Sequence, residues 1–383
     1  MAELQDRIRV ALGNYDAVIA TGVDNFTYLS GIVLPFASNY PDRKAAVLKT
    51  SDGQEHIVCP HDWLSCVQEQ GWKGGVTAYD ENKGMPPNPA IEALTTVVSK
   101  LGLKNKKIGL DKSKASKLFV DILERRLPNA KWIACDEVLR ELRIIKTTEE
   151  VNLLETASKH SESGIVSALN HLEGTVDVPG YAISEFSERV RVHVFEFGGS
   201  GVGHLATMQG ADAQSYYAPQ HGKFRTGELV RIDVTNHHRG YWSNAGRMAV
   251  IGQPSKEQVT AYKDNLGLKD AAKEALSSET PSKAVFEEVR KTAEKKHIKF
   301  WKETAVGHGV GVSDREPPYL NSHDETVLRP GMVVALDIFS FGPRQELIHS
   351  KDTYEILEKR PRLLSWYRNW DQLYVVEGIR STH

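Results

Sequence analysis

Cysteine is scarce. The 383-residue chain has three, Cys59, Cys66 and Cys135. An odd number at these spacings fits neither a disulfide framework nor a zinc motif, so reduced thiols are expected. No run of apolar residues approaches the roughly 18 that suggest a membrane-spanning helix. The N-terminal stretch "MAELQDRIRVALGNYD" is charged and lacks the apolar segment of a secretory signal. Charge of one sign is also missing. Forty-eight basic residues face 50 acidic ones, for a net charge of -2 and a pI near 6.7. That balance gives no support to binding of nucleic acid or a membrane surface, since both favour a basic patch. Repeats, low-complexity tracts and long linkers are absent too. What remains is an ordinary globular composition, 40% apolar and 26% charged, from which a cytoplasmic protein is expected. The length suffices for two domains.

The first 145 or so residues alternate strand and helix signals. "DAVIATG" and "KAAVLKT" are short apolar runs. "SDGQ" reads as a turn, with "EHIVCP" as its hairpin partner. "NPAIEALTTVVSKLG" has helical spacing and a glycine stop. "KKIGLD" and "KWIACD" read as strands, and "SKASKLFVDILERRLPNA" as a helix capped by Ser113. Alternation of this kind predicts an α/β domain over residues 1–145. The stretch from Asp136 to Gly174 carries apolar residues at three- and four-residue intervals, and acidic residues follow Thr148 as at a helix start. The boundary is placed near Lys146. Beyond it, strand-rich segments ("ELVRIDVTN", "GRMAVIG", "VVALDIFSFG", "ELIHSKDTYEIL") enclose a helical pair, which predicts an α+β domain over residues 146–383.

Chemistry is sought among polar residues inside apolar strands. A buried carboxylate needs a cation, a metal or several donors, so Asp233 in "LVRIDVT" and Asp337 in "VVALDIF" each require a partner. Asn244 closes the hairpin that begins near Asp233. His308 lies in "AVGHGVGV", where glycines would let a ligand approach the backbone. Lys351 lies in the alternating strand "LIHSKDTYEIL". Each also has an ordinary reading: a satisfied structural acid, a packed histidine, a lysine facing water.

The order of these segments resembles the creatinase and aminopeptidase P family, the pita-bread enzymes that include prolidase and methionine aminopeptidase. The likeness is carried by "DNFTYLSGI", "LRIIKTTEEVNLLETA", "GELVRIDVTNHHRGYWSNAGRMAVIG", "GHGVGVSDREPPYL", "LRPGMVVALD" and "KDTYEIL". It spans nearly the whole chain and implies an α/β N-terminal domain plus an α+β C-terminal pita-bread domain. The family's peptidases hold two divalent metals with Asp, Asp, His, Glu and Glu. Those positions carry over to Asp233, Asn244, His308, Asp337 and Lys351. Asn244 loses a bridging charge, Asp337 shortens the reach, and Lys351 brings a cation where a carboxylate would bridge. The resemblance therefore implies no metal here, with Lys351 neutralising Asp233 or Asp337. A single metal on Asp233, His308 and Asp337 would sit beside an ammonium. The family's two auxiliary histidines correspond to Tyr216 or Tyr217 and to Arg315, and Arg247 matches the family's arginine after the second Asp.

The resemblance to metal-free creatinase leads to an expected enzyme without metal or cofactor. It would cleave a C–N or related bond of a small carboxylate-bearing metabolite, by hydrolysis or elimination. Arg315 would grip the anion, and His308 would move the proton. Asp337 would orient His308 or activate water, and a phenol at Tyr216 or Tyr217 would donate to an oxyanion. Asp233 and Lys351 would shape the floor. Asn244, Tyr217, Arg247 and Phe36 complete the expected substrate contacts. Two alternatives stand beside it: a non-catalytic pita-bread binding protein, and an Xaa-Pro aminopeptidase or dipeptidase with altered metal ligands. Family members of this size are often homodimers, which makes Gly31 to Arg43, with Phe36, Tyr40 and Arg43, a candidate second-subunit loop.

Overall fold

The computed structural model describes residues 2–35, 43–175, 178–211, 221–365 and 368–377. Two compact units divide the chain, Met1–Arg143 and Ile144–His383.

In the first unit, α1 (Ala2–Ala11), β1 (Ala17–Ala20), α2 (Val23–Ser30), β2 (Ala46–Thr50), β3 (Glu55–Pro60), α3 (Leu64–Glu69) and β4 (Gly75–Tyr79) are followed by α4 (Asn88–Lys100), β5 (Lys107–Leu110), α5 (Lys117–Arg126), β6 (Lys131–Ala134) and α6 (Asp136–Ile144). The strands form one mixed sheet in the order β4-β3-β2-β1-β5-β6. Its core joins Ile19, Leu48 and Ile108 from strands to Ile91, Leu94 and Phe119 from α4 and α5. The β2–β3 hairpin turns at Gly53, whose φ of 90° suits glycine. The cap of α5 is Ser116, whose hydroxyl accepts from the Phe119 amide, and not Ser113. Ser113 is drawn away from that role because its amide and hydroxyl both bond the Asp136 carboxylate. Asp24 and Asn25 at the start of α2 hold Arg143, whose Nη1 lies 2.7 Å from an oxygen of each.

The second unit opens on α7 (Thr148–Glu173). The long helical stretch expected from Asp136 is therefore two helices, broken at Thr147, which caps α7 in a capping box with Glu150. Then come α8 (Ile183–Glu196), β7 (Gly201–Gln209), β8 (Leu229–His238), β9 (Tyr241–Ile251), α9 (Lys256–Ala275), α10 (Ser282–Lys296), β10 (Gly307–Gly309), β11 (Glu316–Tyr319), β12 (Val333–Phe341), β13 (Leu347–Glu355), β14 (Arg362–Leu363) and β15 (Tyr374–Val376). The sheet runs β11-β10-β12-β13-β9-β8-β7, with β14 on β13 and β15 on β9. The β8–β9 hairpin turns through Arg239 (φ 50°) and Gly240 (φ 84°), the doubly left-handed turn that matches strand twist.

Alternation divides this sheet into two faces. Ile232, Val234 and Ala245 pack with α7 and α8. Val334, Leu336 and Ile338 pack with α9 and α10. Residues one step away, Asp233 and Asp337, belong to the opposite face, which no helix of these two clusters covers.

Candidate active site

The register builds the site. Asp337 pairs with Lys351, Lys351 with Gly246, Gly246 with Asp233, and Asp233 with Ala206. Directly opposed residues in an antiparallel sheet project from the same face. Asp337, Lys351 and Asp233 therefore form one lateral row across β12, β13, β9 and β8. Gly246 is the gap in that row. A Cβ there would lie 2.4 Å from His349 Cε1 and 2.7 Å from Lys351 Cβ, so only glycine leaves room for both side chains. Neighbouring rows on the same face contribute Asn244 (opposite Thr235), His308 (opposite Ala335), His349 (opposite Phe339) and Arg231 (opposite Met248).

Lys351 Nζ lies 3.5 Å from Asp233 and 3.6 Å from Asp337. All three side chains are at most 3% exposed. Burial works to raise both carboxyls, but the Lys351 ammonium, with His349 behind it, holds each below the usual carboxylate range. Asp337 Oδ1 also meets His349 Nε2 at 2.6 Å. The His349 ring stacks on Phe339, with centroids 4.0 Å apart and planes 5° from parallel. Arg231 is fully buried, with Nη2 against Met208 Sδ at 3.3 Å and its guanidinium 5.8 Å from the Phe339 ring centroid. His204, on β7, brings Nε2 to 3.8 Å from Asp233.

Burial, then the charges of Lys351 and Arg315, push His308 down to about 3, so its imidazole is neutral. Its Nδ1 faces the Gly309 carbonyl at 3.0 Å. Asn244 Nδ2 donates to the Asp314 carbonyl at 3.1 Å, beside exposed Arg315.

Several sequence expectations change. Asp337 was expected to orient His308 or to activate water; its hydrogen bond goes to His349, so it is not His308 that it orients. Arg247 was expected to touch substrate. It pairs with Ile232 and so belongs to the helix-covered face. There its guanidinium is held by Glu162 of α7, by Asp352 at 2.6 Å and by the Lys351 carbonyl at 2.6 Å. Arg247 is thus an internal support of the sheet. Gly307 and Gly309 were expected to admit a ligand. A Cβ on them would meet the Ala335 and Pro317 carbonyls at 2.4 and 2.3 Å, so their smallness serves strand packing. Phe36, Tyr40, Tyr216 and Tyr217 lie outside the described residues. Arg43, placed in the candidate second-subunit loop, binds Glu81 and Asp62 of its own unit. All three cysteines are free thiols. No helix among the described residues is long and apolar enough to cross a membrane.

His349, Arg231 and His204 were missed. For the first two the signal was present: each precedes a chosen residue by two positions, which in a strand means the same face. His204 sits on β7, a strand that held none of the chosen residues.

Two divalent ions need a donor set rich in carboxylates. Here an ammonium stands between two of the three candidate anionic or imidazole ligands, and an amide replaces a bridging carboxylate. Among the described residues no three His, Cys, Asp or Glu side chains are grouped to hold a metal ion. The residues do not fit a dinuclear centre.

Comparison with known proteins places the fold and the family. An Xaa-Pro dipeptidase of Pyrococcus furiosus is 26% identical over 235 residues, spanning 60% of this chain and 65% of the relative. The X-Pro aminopeptidase of Thermotoga maritima superposes with a TM-score of 0.83 at 16% identity, over 97% of this chain and 99% of that one. The prolidase of Pyrococcus horikoshii gives 0.78 at 21% identity, over 96% and 99%. These likenesses show the fold, an α/β N-terminal domain followed by a pita-bread domain. The creatinase/prolidase N-terminal domain matches residues 3–145, and metallopeptidase family M24 matches residues 152–358. The chain belongs to metallopeptidase family M24, a family of hydrolases, and carries its N-terminal companion domain.

Proposed function

We propose that this chain is a hydrolase of the M24 type that cleaves a C–N bond in a small carboxylate-bearing compound without a pair of metal ions. The observation that carries the proposal is the position of Lys351 Nζ, 3.5 and 3.6 Å from Asp233 and Asp337. One fixed positive charge stands among the carboxylates at the positions where the family's peptidases hold divalent ions. Lys351 can offer N–H donors to a developing oxyanion. The Asp337–His349 pair supplies a carboxylate-oriented imidazole, and Arg315 is a cation suited to a substrate carboxylate.

The relatives favour a dipeptide as the first substrate class to examine, since they include an Xaa-Pro dipeptidase and an X-Pro aminopeptidase. That favours the peptidase alternative over cleavage of an unrelated metabolite. A dipeptide contains both the C–N bond and the carboxylate, so substrate class and metal content are separate questions. The test is an assay against Xaa-Pro dipeptides, other dipeptides and amidino acids, with chelator and with added manganese. Turnover unaffected by chelator and lost in His349→Asn is the expected result. Turnover that appears only with added manganese would overturn the metal-free part.

A further inference from the structure

On α8 the buried stripe is Ile183, Phe186, Val190 and Val194, which pack into the core of the second unit. At about 3.6 residues per turn, Val192 falls diametrically opposite that stripe. A polar residue is expected there, since the outer face of a surface helix meets water. Yet Val192 is 49% exposed, Phe195 48%, and Phe197, the residue that ends the helix, 44%. Other exposed apolar side chains, such as Val10, Met85 and Leu118, stand apart in the sequence, and single ones are ordinary. Three within the six positions 192–197 form a patch. The charges beside it are patterned as well. Arg189 and Glu196 lie two turns apart on one flank of α8, with Val192 between them. Arg189 is exposed and pairs with no carboxylate among the described residues. The Glu196 side chain is 61% exposed, with Oε2 2.7 Å from His193 Nδ1.

We propose that this face of α8 docks a second copy of the chain, the two α8 helices packing antiparallel about a twofold axis beside Val192. Antiparallel helices bring like flanks together. Arg189 of one copy then meets Glu196 of the other, and the symmetry repeats the contact in reverse. A parallel pair would offer Arg189 the acid of the other flank, Glu188, which already lies 3.9 Å from Arg191 of its own helix. Burial of Val192, Phe195 and Phe197 supplies the attraction. The two ion pairs fix the register, since exposed pairs add little affinity. One helix pair lies at the small end of specific interfaces, so the dimer is reversible and depends on concentration. The face belongs to the second unit, whereas the Gly31–Arg43 loop expected to meet a partner belongs to the first. The inference is independent of the chemistry proposed for the sheet.

Sedimentation equilibrium of the full-length protein over a dilution series reads the dissociation constant. A reversible dimer is expected. Phe195→Glu sets a charge inside the patch and should raise the constant at least roughly tenfold. Arg189→Glu alone and Glu196→Arg alone should each raise it at least about threefold, because like charges then face each other on both sides of the axis. The double variant Arg189→Glu with Glu196→Arg restores opposite charges and should return the constant to within about twofold of the parent's. Its recovery also shows that the single variants fail by charge and not by misfolding, and circular dichroism checks the fold of Phe195→Glu. A monomer at every concentration overturns the proposal. So does a dimer whose constant none of these substitutions moves, since it would use another face. Weakening in the single variants without recovery in the double variant overturns the antiparallel pairing.

Discussion

Replacing Lys351 by methionine keeps the side-chain bulk and removes the charge. Asp233 and Asp337 would then be buried without the cation between them. Breaking a buried ion pair from one side typically costs about 3–5 kcal/mol. Urea unfolding of Lys351→Met should show a loss of that order. A loss below about 1 kcal/mol, the range of exposed pairs, would mean that water already screens these charges. The Lys351 substitution was legible because a cation replacing a carboxylate changes the sign of a site. Arg247 was misread for a physical reason open to inspection. It lies three positions from Asn244, and an odd step in a strand reverses the face. His349 was legible by the same parity rule, since it lies two positions before Lys351 on β13.

Elements set the distances among these residues. Four strands share a register that aligns Asp337, Lys351, Gly246 and Asp233, and no local sequence pattern encodes that alignment. Strand and helix content follow from apolar periodicity, as in "LVRIDVT" and "NPAIEALTTVVSKLG". The pairing of β13 with β9 joins residues far apart in sequence and could be expected only through the family resemblance. Gly246 is the predicted weak point of the row. Gly246→Ala places a methyl against His349 and Lys351, and overpacking of this kind costs about 1–3 kcal/mol. The thermal midpoint should fall, and the His349 ring signals should shift relative to the parent protein. Unchanged His349 signals would mean that the ring is not held against Gly246. Behind the row, Arg247 links β9 to α7 and to β13 through Glu162 and Asp352. Arg247→Met should therefore lower the thermal midpoint, since it strips Glu162 and Asp352 of their shared guanidinium; a midpoint equal to the parent's would mean that these carboxylates do not depend on it.

At the scale of the whole chain, each unit carries its own buried ion pairs, and these set its response to acid. In the first unit, burial works to raise the Asp24 carboxyl, but Arg143 and Lys114 outweigh it and hold it well below the usual range. In the second, Asp352 is held down in the same way by Arg247 and Lys269 against burial. A carboxyl whose folded pKa lies below its unfolded value contributes stability above the unfolded value, about 3.9 for Asp. That contribution is lost as pH falls through the folded pKa. Stability should therefore hold at neutral pH and decline below about pH 5. Asp24→Asn should flatten the decline, as read from thermal melts across the acid range. A slope identical to the parent's would show that Asp24 titrates alike in both states.

Metal content measures most directly whether Lys351 stands in place of divalent ions. The protein should be purified without chelator, incubated with manganese or zinc, desalted and analysed for bound metal. The double variant Asn244→Asp with Lys351→Glu, which restores carboxylates at both altered positions, should be treated in parallel. Sub-stoichiometric metal is expected in the parent protein, and metal uptake in the double variant. Two ions per chain in the parent protein would mean that Lys351 does not take the place of metal.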